Sequence, residues 1–356
     1  MRTRVVAVVL AVLVVGAGLL TWRLLTPASA FDQALSTLPK GTLRVTFTDW
    51  EFTRSAAHGE SLGAGSSPAD VSDFLTRAYD QDRTFTSGIS DSTYVLAHRF
   101  GFSPLDAQWE ALGQGREGQV DVLRVDDDVD LGGVENNLRT LGYTPPSGGS
   151  GTGGVWVGGA DLVAQIDGSL TPVEQNVAVL PDQHLVLLSD SASYLQAAVS
   201  VAKGDGDSVR DTTGVDDLAG VADTPANAVL WASSFACEDL SMGTASEEDQ
   251  RYGNQLVAKA GGINPLSGLV MAQQHDGSID VGLWFDTSDE ASANLQPRVN
   301  LASGDAPGQG GSFRDRFRVT DGQASGHTVT LRLAPRASAD AVLSDLTTGP
   351  ILFATC

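Results

Sequence analysis

The sequence predicts an α+β protein whose antiparallel sheet is built from repeated β-hairpin–helix units, preceded by an N-terminal transmembrane or signal helix. Asp276-Gly277 and Asp321-Gly322 each sit between alternating apolar runs, a strong short-range signal for a hairpin. Three strand–turn–strand patterns in the second half are each followed by a helical one. That order implies an antiparallel sheet with helices on one face. The chain opens on an uncharged run from Val5 to Trp22, and at 1.5 Å per residue such a helix spans about 27 Å, close to the hydrocarbon thickness of a bilayer.

With 356 residues the chain has room for an anchor plus one large or two modest lobes. Hydrophobic residues at 42% supply enough apolar material for a core and exclude a fully disordered chain. Forty-four Asp and Glu face 22 Lys and Arg, a net charge of −22. Such a surface repels phosphates, so nucleic acid and anionic lipid headgroups are poor partners.

Arg2 and Arg4 precede the apolar run and Arg23 follows it. The excess of positive charge before the run places the N-terminus in the cytoplasm and the bulk of the chain outside, on a single-pass anchor. Trp22 stands where an interfacial aromatic belongs. The competing reading is secretion after cleavage at Ala28-Ser29-Ala30, leaving Phe31 first. The run exceeds the usual signal-peptide length of about 7–15 residues, and Arg23 interrupts the approach to the site, which favours retention.

Beyond residues 1–30, the sequence divides into a first α+β lobe at 31–144, a Gly/Ser/Pro-rich linker or surface loop at 145–154, and a second lobe at 155–356. A short helix over 31–40 ends at Leu38-Pro39, and Leu43, Val45 and Phe47 alternate with polar residues in a strand over 42–50. Residues 56–67 read as a loop. Ser67 then caps a helix through Tyr79, with Pro68 at its first position. A helix is expected at Leu105–Leu112, a strand at Gln119–Val125 and a capped helix at Leu131–Leu141. The three hairpins follow, turning at Pro181-Asp182, Asp276-Gly277 and Asp321-Gly322, with helices at 191–201, from 288, and at 338–346.

Gly59-Glu60-Ser61-Leu62-Gly63 resembles the nucleophile elbow of the α/β-hydrolase esterases. That resemblance implies Ser61 as nucleophile and His327 as a triad partner. The elbow needs a strand before the serine and a helix after it, and Arg54–His58 is no buried strand. Two G-x-G-x-x-G strings, Gly113–Gly118 and Gly149–Gly154, lack the strand-then-helix context of a dinucleotide site. No cofactor is expected. Asp126, Asp128 and Asp130 have the spacing of a calcium loop, but Leu131 and Asn137 stand where Gly and Glu are needed. Helix capping by Asp130 explains them better. His58, His98, His184, His275 and His327 share no metal-ligand spacing, so no metal site is assigned. Thr48-Asp49-Trp50 and the aromatic stretch from Phe100 to Trp109 are read as core ahead of a groove lining.

The anchor, the short helix ending in Leu38-Pro39, Thr48-Asp49-Trp50 and Ser103-Pro104-Leu105-Asp106 together resemble membrane-anchored extracytoplasmic proteins of high-GC Gram-positive (actinobacterial) type. The resemblance implies an envelope location and brings no catalytic residues with it. An outer compartment permits disulfides, and the two cysteines, Cys237 and Cys356, allow one intramolecular pairing. Two free thiols, or pairing between chains through Cys356, are the alternatives. The chemistry as a whole points to a non-catalytic cell-envelope protein that binds an envelope protein or an apolar ligand. A lipid carrier comes second and a Ser61 hydrolase third.

Overall fold

The computed structural model describes residues 28–356, so the anchor expected at Val5–Trp22 lies outside the described residues. Among the described residues, no helix is long and apolar enough to cross a membrane. The chain runs α1 (Ala30–Thr37), β1 (Thr42–Asp49), α2 (Trp50–Ala56), α3 (Pro68–Asp80), β2 (Ala107–Gly115), β3 (Gly118–Val125), α4 (Leu131–Leu141), β4 (Val155–Val157), β5 (Asn176–Leu180), β6 (Leu185–Ser189) and α5 (Ala192–Ala202). It continues α6 (Val215–Ala222), β7 (Asn227–Ala232), α7 (Phe235–Asp239), α8 (Glu247–Ala260), β8 (Gly268–Gln273), β9 (Ile279–Trp284), α9 (Ser288–Ala302), β10 (Phe317–Ser325), β11 (Thr328–Pro335) and α10 (Val342–Thr347).

All eleven strands form one sheet, in the order β10-β11-β9-β8-β7-β1-β2-β3-β6-β5-β4. Each neighbouring pair is antiparallel. Outward from the central β1–β7 pair, one side reads β7, β8, β9, β11, β10 and the other β1, β2, β3, β6, β5, the same order in each half once the outermost strand β4 is set aside. The helices fall at matching places in the two element orders, with α3 matching α8 and α4 matching α9. Among the strands of the described residues, β4 has no counterpart in the second half, and the short helical turns over 90–106 have none either.

Side-chain alternation along the strands sorts the core onto two faces. Val45 and Phe47 on β1, with Leu230 on β7 and Leu187 on β6, face a cluster covered by α1, α5 and α6. Gly268 and Gly282 lie beneath α6, and a Cβ at either would press within 2.9 Å of a packed side chain, so these glycines set its close approach. On the opposite face, β2, β3, β5 and β6 pack under α3 and α4, and β7, β8, β9 and β11 under α9 and α10. Helices therefore cover both faces, which corrects the one-face expectation. Buried apolar residues occur at both parities of β6 and β7, which leaves neither face free to meet solvent there.

Between the two clusters of that second face runs a polar seam. Thr46 Oγ1 donates to the Thr86 carbonyl (2.6 Å), Thr48 and Thr86 share a hydroxyl bond (2.6 Å), and Asn227 Nδ2 donates to Arg83 O (3.0 Å) and Thr86 Oγ1 (2.6 Å).

Two further expectations are corrected. Leu105–Leu112 is not a helix: a 3-10 turn at Pro104–Asp106 leads into β2. Ala, Gln, Glu and Leu favour helix locally, but pairing with β1 on one side and β3 on the other satisfies the backbone as strand. Asp321-Gly322 is not the third hairpin's turn: both residues pair within β10, opposite Arg332 and Leu331, and the chain reverses at Gly326-His327, where Gly326 takes the positive φ. Residues 145–154 connect α4 to β4, and strands from either side of them, β3 and β6, are hydrogen-bonded neighbours. The repeat of element order begins again in the connection from α5 to α6.

Candidate functional site

Ser61 sits exposed in a turn after α2. Gly59 is needed there for packing, since a Cβ would come within 2.6 Å of the Phe74 ring. His327 stacks on Trp284 with centroids 5.3 Å apart, and its Nδ1 lies 3.1 Å from the Phe285 carbonyl. The structure does not build the strand–serine–helix elbow. Gly113–Gly118 runs through the β2–β3 hairpin, and Gly149–Gly154 lies in the surface connection before β4. Asp130 caps α4 by accepting from the Gly133 amide (3.0 Å). Asp126 pairs with Arg54 at 3.3 Å and Asp127 with Arg124 at 2.9 Å. Among the described residues, no group of three His, Cys, Asp or Glu could hold a metal ion. Trp50, Phe100, Phe102 and Trp109 are buried in the core.

Cys237 and Cys356 form a disulfide with Cα atoms 5.5 Å apart. The C-terminal segment is also held by Arg298, a fully buried residue of α9. Its Nη1 donates to the carbonyls of Phe353 (2.9 Å) and Thr355 (2.6 Å), and its Nη2 to Asn264 O (2.6 Å). Burial lowers its pKa to about 9, so it stays charged at neutral pH.

A buried carboxyl cluster, absent from the sequence reading, lies under α2 and the loop after α3. Glu110 on β2 and Asp121 on β3 are diagonal neighbours on one sheet face, since Glu110 opposes Leu123 and Leu112 opposes Asp121. Both are fully buried. Glu110 accepts from Trp50 Nε1 (2.7 Å), Ser87 Oγ (2.8 Å) and the Gly88 amide (2.6 Å). Both Asp121 oxygens are buried without a hydrogen-bond partner. Burial, then the neighbouring Glu110 charge, raises the Asp121 pKa well above the ordinary carboxylate range. Burial raises Glu110 too, against three donors that favour its charged form. Burial and the adjacent Glu110 thus favour the neutral form of Asp121, while three donors support negative charge on Glu110. Glu174 adds a third carboxylate, whose Oε2 accepts from Thr171 N and Oγ1, each at 2.8 Å. In phase with Leu123 and Val125, Asp121 is the one charged residue on the buried face of β3, and that was the readable signal.

The halves meet again at an exposed stack. His275, in the β8–β9 turn, lies on Phe52 with centroids 4.1 Å apart, and Arg83 covers Phe52 at 4.6 Å. Asp49 caps α2 by accepting from Phe52 N (2.8 Å) and meets His275 Nε2 at 3.2 Å.

Two clefts open on the helical surface. One, of about 430 Å³, lies between α8 and α9 and includes Leu256, Lys259, Leu301, Asp305, Arg314 and Leu352 in its wall. The other, of about 420 Å³, runs along α3, with Tyr79 and Tyr94 among its exposed aromatics. Both volumes fall in the range of small-molecule sites, about 300–1,000 Å³.

No protein-family model matches this chain, and no curated protein matches it. Two solved structures align with this chain at low similarity. "Structure of crystal form III of TP0453" aligns with a TM-score of 0.40 and 7% identity, covering 85% of this chain and 93% of that one. "Structure of crystal form I of TP0453" aligns with a TM-score of 0.36 and 8% identity, covering 88% and 98% respectively.

Proposed function

We propose that this protein is a membrane-anchored, extracytoplasmic binding protein of the cell envelope that performs no catalysis. The observation that carries the reading is the pair of open clefts, each walled by the matching helix of its half, α3 in one and α8 in the other. The repeated element order also leads us to infer that the two halves descend from one duplicated unit built of hairpins and helices. Retention of the anchor has support at its junction with the fold. Ser29 caps α1 by accepting from Asp32 N (3.0 Å), and Phe31 is buried. Cleavage after Ala30 would remove that cap, at a cost of about 0.5–2 kcal/mol.

A carrier of apolar ligands comes second, because the sheet faces are filled by packed side chains and the large clefts described are open to solvent. The deciding experiment is a pull-down from intact envelopes with the full-length protein, followed by mass spectrometry and lipid extraction. Partner capture that weakens in Tyr79→Ala or Lys259→Ala supports the binding reading. Fluorophosphonate labelling that disappears in Ser61→Ala overturns it in favour of a hydrolase. N-terminal sequencing that finds Phe31 first overturns the anchor.

A further inference from the structure

The surface clefts differ in charge, and one stands against the charge of the whole chain. Along α3, the only charged residue in the cleft wall is Asp91. Two neighbouring clefts contain Arg44 and Arg116, but Arg44 lies 3.9 Å from Asp239 and Arg116 lies 3.4 Å from Glu238. The cleft between α8 and α9 is lined by Lys259 and Arg314, and neither side chain has an ion-pair or hydrogen-bond partner among the described residues. Its one carboxylate, Asp305, is already engaged by the Tyr252 hydroxyl. Lys259 is one of three lysines in a chain of net charge −22.

We propose that this cleft binds a small amphiphilic anion, its carboxylate or phosphate held by Lys259 and Arg314 and its short apolar chain lying along Leu256, Leu301 and Leu352. The proposal rests on the binding reading above and names the ligand class for one of its clefts. Arg314 presents a planar fork suited to an oxyanion and Lys259 a mobile point charge. The three leucines supply the apolar wall that a simple inorganic anion would not use. The net charge of the chain is no obstacle at this range. At physiological ionic strength the Debye length is about 8 Å, so distant carboxylates are screened while the two adjacent cations act directly. The anionic head may come from a free acid or from a lipid headgroup, and both present the same chemistry to the cleft.

The test is titration calorimetry on the full-length protein in phosphatidylcholine nanodiscs, with the heat of empty nanodiscs subtracted. Octanoate is expected to bind at least tenfold more tightly than octanol or inorganic phosphate. Lys259→Gln/Arg314→Gln should weaken octanoate at least tenfold with an unchanged melting temperature, and Tyr79→Ala should leave it unaffected. Should the double variant unfold, Arg314→Lys replaces it, with an expected loss smaller than that of Arg314→Gln. Octanol binding as tightly as octanoate, phosphate binding as tightly, or octanoate binding unchanged by the substitutions overturns the proposal. Displacement of octanoate by phosphatidylserine in the nanodisc supports it with a lipid headgroup as source, and binding without displacement supports it with a free acid. Failure of octanoate while partner capture persists overturns the ligand class alone, and loss of both overturns the binding reading.

Discussion

Asp121 is held where its charged form finds no donor, so its proton is part of the fold. Its pKa in the folded state is raised by burial and by Glu110, above an unfolded value of about 3.9. A raised carboxyl pKa contributes stability that is fully present below the unfolded value and is lost as pH rises toward the folded one. Asp121→Asn keeps the shape of the side chain and cannot ionise. It should raise the stability measured by urea titration at pH 8 by about 1–3 kcal/mol, the cost of an unsatisfied buried polar group. Its gain over the parent should shrink as pH falls toward 4, and a pH-independent gain would contradict a raised Asp121 pKa. Arg298 offers the opposite case, a buried charge whose Nη1 and Nη2 are met by carbonyls. Arg298→Met removes three charge-assisted bonds and strands the carbonyls of Asn264, Phe353 and Thr355. A loss of about 3 kcal/mol or more is expected in denaturant titration.

At the scale of elements, the caps follow sequence rules closely. Ser67 accepts from Asp70 N (3.3 Å) at the start of α3, and Thr287 forms a capping box with Glu290 at α9. Ser67→Ala should cost about 0.5–2 kcal/mol, read as a lower chemical-denaturation midpoint. The disulfide ties the C-terminal turn to α7 across a sequence separation of 119 residues. Chain entropy assigns such a closure on the order of 4–5 kcal/mol. Reduction, or Cys237→Ser, should lower stability by up to that amount, and hydrogen exchange should rise first in residues 351–356. β2 is the element where local preference misleads. Its residues Gln108–Leu112 read as helix, and only the partners on both sides make them strand.

For the whole molecule, the β1–β7 pair joins the two halves. Five residue pairs link these strands, from Arg44 opposite Trp231 to Thr48 opposite Asn227. Unfolding is expected as one cooperative transition, with calorimetric and van't Hoff enthalpies equal. Asn227→Ala leaves Arg83 O and Thr86 Oγ1 without their donor, and should broaden that transition if the seam couples the halves. Two resolved transitions in the parent protein would contradict the coupling.

Local signals were sufficient wherever an element's own residues carry its energetics. Ser67-Pro68 starts a helix because the cap and the fixed proline φ act within one turn. Asp276-Gly277 turns a hairpin because Gly277 takes a positive φ of 82° at no steric cost. The pairing of Cys237 with Cys356 needed only the count of two and was then met by geometry. What tertiary structure alone decided is everything that depends on distant partners. The central β1–β7 pair joins strands about 180 residues apart, and no local pattern encodes which edge meets which. Helices on both faces, the buried neighbours Glu110 and Asp121, and the cleft lined by both Lys259 and Arg314 arise the same way. Each is made by residues from separate elements, and burial or charge acts on them only once the sheet has brought those elements together.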